Sequence, residues 1–293
     1  MLDAVVRVNM GEVKSDQAGV PGRVVDSRMV REAWDLVSDG YQRYWSPRFR
    51  PYLVRAVAAF EPAPAGPLAV PGCGPGEEVL LLAAKHTDRS ILAMDISPRM
   101  VLTLQASLRQ RSLGNVLASV GLADEVSSRL RQAAGVLSAF GLQLLPDPAA
   151  ALADWSAALR VGGSAAALFW PKPVPRTPFA RLANAIEAAT GEDRPEWEAR
   201  TLKTIGAIGL ALERNELVSV EMEHSSPEEL FDALVRFGPL QVLERRLGSS
   251  AVEKARSLWL KDHGLTERGG RWVHAPGARL WVLRKTRAVD EGH

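Results

Sequence analysis

Residues 67–99 read PLAVPGCGPGEEVLLLAAKHTDRSILAMDISPR, an apolar run, three alternate glycines, a helical pattern, a second apolar run and an acid. No other stretch constrains the fold as much. Leu68, Ala69 and Val70 have the character of a short buried strand. Gly72, Gly74 and Gly76 follow where a backbone must turn sharply and approach a ligand closely. Apolar residues at Val79, Leu80, Leu81, Ala83 and Ala84 predict a helix whose first amides face the glycine turn. Ile91 to Met94 predict a second strand that ends on Asp95. An acid at the tip of the second strand of a βαβ unit is placed to accept hydrogen bonds from ribose hydroxyls. The stretch therefore reads as a nucleoside half-site.

The glycine spacing separates two kinds of nucleoside ligand. A dinucleotide fingerprint, G-x-G-x-x-G, places a third glycine where this chain has Glu77. An acid in the first helical turn repels a pyrophosphate, so an uncharged or cationic ligand fits better. A nicotinamide-dependent oxidoreductase fails on this spacing. GCGPGEE followed by a helix and MDIS resembles motif I and the following acidic loop of the class I S-adenosylmethionine (SAM) dependent methyltransferases. A second passage, LSAFGLQLLPDPAAALADWSAALRVGGSAAALFW, resembles the fourth-strand, helix and fifth-strand segment of methyltransferases related to quinone-biosynthesis enzymes. The resemblance spans roughly residues 37–285.

It implies an α/β fold: a Rossmann-like sheet of seven strands with a reversed final hairpin, helices on both faces and a helical cap insert. The expected organisation is a poorly ordered arm at 1–22, N-terminal helices covering the site at 23–62, and the SAM-binding core at 63–170. Cap helices follow at 171–213, then a sixth strand, a second helical cap and the last strand at 214–286, and a tail at 287–293. Within 27–60 two helical patterns are expected, joined at SDG and SPRFRP, with Tyr41, Tyr44 and Trp45 between them. Further strands are expected at Val116 to Val120, Val136 to Ala139, Ala165 to Trp170, Asn215 to Glu223 and Arg279 to Arg284, with the RVGG glycines closing the helix before the fifth.

The resemblance also implies site residues. Gly72, Cys73, Gly74 and Gly76 would wrap the amino-acid and ribose portions of SAM, and Asp95 would bind the ribose hydroxyls. Ile96 and Met100 would lie against the adenine, with Leu122 and Ala123 after the third strand, Ala139 and Phe140 at the end of the fourth, and Tyr41 lining the cavity. The chain departs from the family pattern at three places. Val70 stands where an acid is usual, Leu122 where an Asp commonly meets the adenine, with Asp124 two residues on, and GLQLLPD lacks the histidines of a GLHHLPD-like segment.

Two functions stay open. One is methyl transfer to a small, largely apolar metabolite, possible in secondary metabolism. The other is a methyltransferase fold that binds, supports a structure or runs another reaction such as a cyclisation. Trp170, Phe179, Trp197, Phe231 and Phe237 would line an apolar pocket or form the core of the insert. His86, His224, His263 and His274 stand singly without metal-ligand spacing, and His274, in WVHAP just before the last strand, is the one candidate base. No metal is expected.

A net charge of +2 is too small to call for nucleic acid, and pairs such as Arg245 and Arg246 read as solvated helix faces. Cys73 is the single cysteine, which excludes an intramolecular disulfide and suits a reducing cytoplasm. Beside the glycine turn it reads as a small residue beneath a ligand rather than a nucleophile. No apolar run reaches the length of a membrane span, so the expected partner is a small-molecule substrate, with no membrane and no nucleic acid.

Overall fold

The computed structural model describes residues 27–63, 65–171, 177–190 and 197–287. The expected arm at 1–22 and the last residues of the tail lie outside them. The chain builds α1 (Ser27–Ala59), β1 (Leu68–Pro71), α2 (Glu77–Lys85), β2 (Ile91–Asp95), α3 (Pro98–Gln110), β3 (Val116–Val120) and α4 (Val126–Arg129). It continues through β4 (Ala133–Ala139), a 3-10 turn (Leu142–Leu144), α5 (Pro148–Ala158), β5 (Leu159–Phe169), α6 (Pro178–Thr190), α7 (Trp197–Thr204) and β6 (Leu210–Ser219). The cap and the end of the sheet comprise β7 (Met222–His224), α8 (Pro227–Arg236), α9 (Leu240–Leu247), α10 (Ser249–Lys261), β8 (Thr266–Arg268), β9 (Arg271–His274) and β10 (Gly277–Lys285).

Seven strands form one sheet in the order β3-β2-β1-β4-β5-β10-β6. The five strands from β3 to β5 run parallel, and β10 is antiparallel to both its neighbours, which is the expected reversed hairpin. Every residue of β1 and β4 is buried, as continuous apolar runs covered on both faces must be. The strand order reverses beside β1, between β2 and β4. At such a point the loops leaving the carboxyl ends part to either side and leave a crevice.

Several element boundaries differ from expectation. The two expected N-terminal helices are one, α1, 33 residues long with Pro47 and Pro51 inside it. The DGYQRYW segment is helical rather than a linker because Trp45, Phe49 and Tyr52 all bury on the sheet side, and that burial outweighs the lost backbone bonds. The Tyr52 hydroxyl lies 2.6 Å from Pro276 O and accepts from Val220 N at 3.1 Å, fixing α1 to the cap side of the sheet. The RVGG glycines lie within β5 instead of ending α5, at a register shift between β4 and β5 where Gly162 has φ 80°. The sixth strand begins at Leu210, where a helical run was expected, and ends at Ser219.

Residues 222–224 pair instead with β9 in a separate sheet, β7-β9-β8, that the sequence did not announce. The three short helices expected after Ser225 are present as α8, α9 and α10, capping the carboxyl end with α6. Of the insert aromatics, Phe231 packs on Trp259, and Trp197 fits between Phe169 and Trp281 on the other face of the sheet. Phe237 covers Gly40 of α1 so closely that a methyl group there would lie 1.8 Å from its ring.

Candidate functional site

The site begins where β1 ends. Gly72, Gly74 and Gly76 all take positive φ, 68°, 50° and 92°. At Gly74 nothing occupies the space a side chain would fill, so the glycine serves the backbone turn and leaves the crevice open above it. Gly76 is needed twice over, since a methyl group on it would also strike the Leu104 side chain of α3 at 2.2 Å.

Asp95 closes the other side. Its Oδ2 accepts from Gly74 N at 2.8 Å and its Oδ1 from Ser97 N at 2.9 Å, so the carboxylate ties the glycine turn to the tip of β2. Burial pushes its pKa up to about 6, against the pull of those two amides. Ser97 caps α3 by accepting from Met100 N at 3.1 Å. Asp35 of α1 then binds both the Ser97 hydroxyl and, at 3.0 Å, Arg99 N. Asp35 thereby docks the long helix over the crevice.

The crevice has a cavity volume of ≈ 260 Å³. Gly72, Gly74, Asp95, Ile96, Met100, Leu122, Ala123, Ala139, Phe140 and Tyr41 line it, together with Asp124. Of the expected residues, Cys73 lies buried beneath the turn with its thiol pushed well up by burial, which makes it a packing residue and no nucleophile. Gly76 turns toward Leu104 instead of the crevice. Sequence reasoning missed Ser27, Val30 and Trp34 from α1, and Gly141, Leu144, Leu145 and Pro146 from the turn after β4. The quoted GLQLLPDP segment was the signal for the second group; the α1 group carries none, because only the docking of the helix brings it near.

Two acids stand in the first turn of α2, beside the glycine turn. Glu77 pairs with Arg50 of α1. Glu78 is buried, and burial, with Asp95 adding to it, pushes its pKa up to about 8. Burial likewise raises the Tyr41 phenol, with Glu78 and Asp95 contributing.

A small void of ≈ 20 Å³, room for about one water, adjoins the crevice and shares Trp34, Tyr41, Phe140 and Leu144 with it. Its remaining walls are Trp45, Phe49, Trp170, Phe179, Leu234 and Pro239. Phe140 stacks on Trp170 at 4.7 Å and 21°, and a positive φ of 57° at Phe140 turns its ring between the two cavities. His274 does not line either cavity; it lies behind Phe179, and it is not single, since His224 Nε2 sits 3.1 Å from its own Nε2. Among the described residues no group of three or more His, Cys, Asp and Glu is placed to hold a metal ion.

Fold and site together define a Rossmann-like α/β protein with a crevice at its strand-order reversal. Residues 71–163 match the family model described as a methyltransferase domain. The chain carries the fold of the class I SAM-dependent methyltransferases, with that domain as its core. Among solved structures it is similar to the (4+2)-cyclase SpnF, with a TM-score of 0.60 and 15% identity over 92% of this chain and 100% of that one. It is also similar to the YcgJ protein from Bacillus subtilis, with a TM-score of 0.57 and 13% identity over 80% of this chain and 98% of that one. No curated protein matches the chain in sequence.

Proposed function

We propose that this protein transfers a methyl group from SAM to a small, largely apolar acceptor. The observation that carries the reading is a crevice at the strand-order reversal bounded by the glycine turn and Asp95 on one side and by an aromatic wall of Trp34, Tyr41 and Phe140 on another. SAM, when bound, supplies an electrophilic methyl group on a cationic sulfur.

In this reading Asp95 accepts the ribose hydroxyls, Ile96 and Met100 pack on the adenine, and Leu122, Ala123 and Asp124 border its edge. Gly72 and Gly74 admit the amino-acid tail close to the backbone. The acid usual at Val70 is replaced by a fully buried valine. The chain's own contribution to the reaction is position. It holds the acceptor in line, about 3 Å from the methyl carbon, against the aromatic wall of the crevice, which excludes water. A base is required only for an acceptor that must lose a proton.

Calorimetry with SAM and S-adenosylhomocysteine tests the reading, and failure to bind either one overturns it. A second reading is favoured by Val70: a methyltransferase fold that binds without transferring, or whose pocket runs another reaction such as a cyclisation. Binding of both nucleosides with no methyl transfer to any of a panel of apolar acceptors would favour it. No helix among the described residues is long and apolar enough to cross a membrane.

A further inference from the structure

One helix holds two separate walls of the crevice. Leu144, Leu145 and Pro146 line it in one place, and Leu122, Ala123 and Asp124 in another. α5 starts directly after the first group, where Asp147 caps it by accepting from Ala149 N at 3.0 Å and Ala150 N at 3.1 Å. Further along the same helix, Asp154 and Trp155 reach the loop that carries the second group, and neither of them lines the crevice itself. The indole Nε1–H of Trp155 donates to Ala123 O at 2.7 Å in buried surroundings. The Asp154 carboxylate accepts from Val126 N at 2.6 Å, from Ser127 N at 3.2 Å and from the Ser127 hydroxyl.

Residues 121–125 belong to no helix or strand, so bonds of this kind decide where the loop lies. At its start Gly121 N donates to Asp95 O at 3.0 Å, and at its end the fully buried Val126 belongs to one apolar cluster with Trp155 and Met94. Between those anchors Trp155 meets the Ala123 carbonyl. A loop already in its binding position is spared the cost of ordering when a ligand arrives, and apparent affinity falls by whatever fraction of molecules has the loop elsewhere. Ala123 is buried, so loss of its donor leaves an acceptor unpaired and favours a shift of the loop toward water.

We propose that Trp155, with Asp154 beside it, is a positioning residue for the nucleoside: from outside the crevice it fixes Leu122, Ala123 and Asp124 as a preformed wall for the base. This rests on the crevice being a nucleoside site. Its indole N–H acts through the Ala123 backbone and touches no ligand, so its effect is on how much of the protein is ready to bind.

The test compares the full unsubstituted chain with Trp155→Phe, which removes the indole N–H and keeps an aromatic ring, and with Asp154→Ala and Asp154→Asn. Asp154 is half-buried, so its variants leave the core filled and decide the matter where Trp155→Phe does not fold. Calorimetric affinity for S-adenosylhomocysteine should fall about tenfold in Trp155→Phe and in Asp154→Ala, and about threefold in Asp154→Asn, which keeps one acceptor oxygen. Hydrogen exchange without ligand separates positioning from a general loss of stability. Amides of residues 122–127 should exchange about tenfold faster in Trp155→Phe and Asp154→Ala while those of β4 keep their rate, and saturating S-adenosylhomocysteine should restore the protection of 122–127. Exchange at 122–127 that does not change, or that rises equally in β4, overturns the proposal. Binding by the unsubstituted protein with unchanged affinity in the variants overturns the proposal alone. An unsubstituted protein that does not bind S-adenosylhomocysteine overturns the nucleoside reading and the proposal with it.

Discussion

Asp95→Asn removes one charge and almost no volume from the crevice, and the surroundings of Asp95 predict its effect on binding in some detail. The carboxyl is buried with its pKa at about 6, against an ordinary 3.8, a difference of about two units. At 1.36 kcal/mol per unit this is about 3 kcal/mol of unfavourable charge burial at pH 7. The sign follows from proton counts. Between pH 3.8 and 6 the folded protein holds a proton that the unfolded chain has lost, so this group's contribution to stability falls as pH rises through that window and is fully unfavourable above it.

Ribose hydroxyls donating to Asp95 favour its charged form and pull its pKa back down. Nucleoside binding therefore releases a proton, and affinity for S-adenosylhomocysteine should rise between pH 5 and 7. A complete return to the ordinary value sets a ceiling of about 100-fold, and about tenfold is expected for a partial return. Calorimetry at several pH values, in buffers of different ionisation enthalpy, reads both the affinity and the released proton. Asp95→Asn should abolish the slope and cost about 1.5–3 kcal/mol of affinity at pH 7, the range for hydrogen bonds to a charged group. Its thermal stability should change little. The relieved charge offsets the conflict between the asparagine amide and one of the two backbone N–H groups from Gly74 and Ser97. A flat pH profile in the unsubstituted protein, or an unchanged slope in the variant, would refute the reasoning.

Gly40→Ala, ordinarily mildly stabilising within a helix, should here destabilise by about 1–3 kcal/mol, because its methyl group would meet the Phe237 ring at 1.8 Å; urea unfolding measures it. Asp35→Ala removes the acceptor for Ser97 and Arg99, and S-adenosylhomocysteine affinity should fall by about 1–2 kcal/mol as α1 loosens over the crevice, read by the same calorimetry. His224 and His274 have folded pKa values near 3 and unfolded values near 6.5, so the unfolded chain binds their protons first as pH falls. Stability should drop below pH 6.5, by about 3 kcal/mol per histidine at pH 4, and the His224→Phe, His274→Phe double variant should lose this part of the acid sensitivity in urea titrations at pH 7 and 4. Equal acid sensitivity in the two proteins would show that the imidazoles are not shielded from protonation.

The apolar runs, the glycine triplet and Asp95 were enough to place β1, α2 and β2, because each is a local pattern: a buried strand, a turn of positive φ, one amphipathic helix face. Glu77 at the third-glycine position set the expectation of a SAM-type site against that of a dinucleotide one for an equally local reason, the sign of a charge beside helix amides. The resemblance of two passages then supplied the expectation of seven strands with a reversed final hairpin, and with it ten residues that line the crevice. Tertiary structure decided what local pattern cannot encode. Pro47 and Pro51 read as a break, yet burial of Trp45, Phe49 and Tyr52 keeps α1 a single helix and carries Trp34 to the wall between the cavities. Glu78 carries no local signal of its surroundings, and tertiary packing buries it and raises its pKa. His224 and His274 are 50 residues apart in sequence and became a pair when β7 and β9 aligned Met222 with His274 in a sheet no periodicity announced. Single residues and short spacings are properties of the chain, whereas burial, pairing and shared cavity walls belong to the fold, since each needs the distance between groups that only the folded backbone sets.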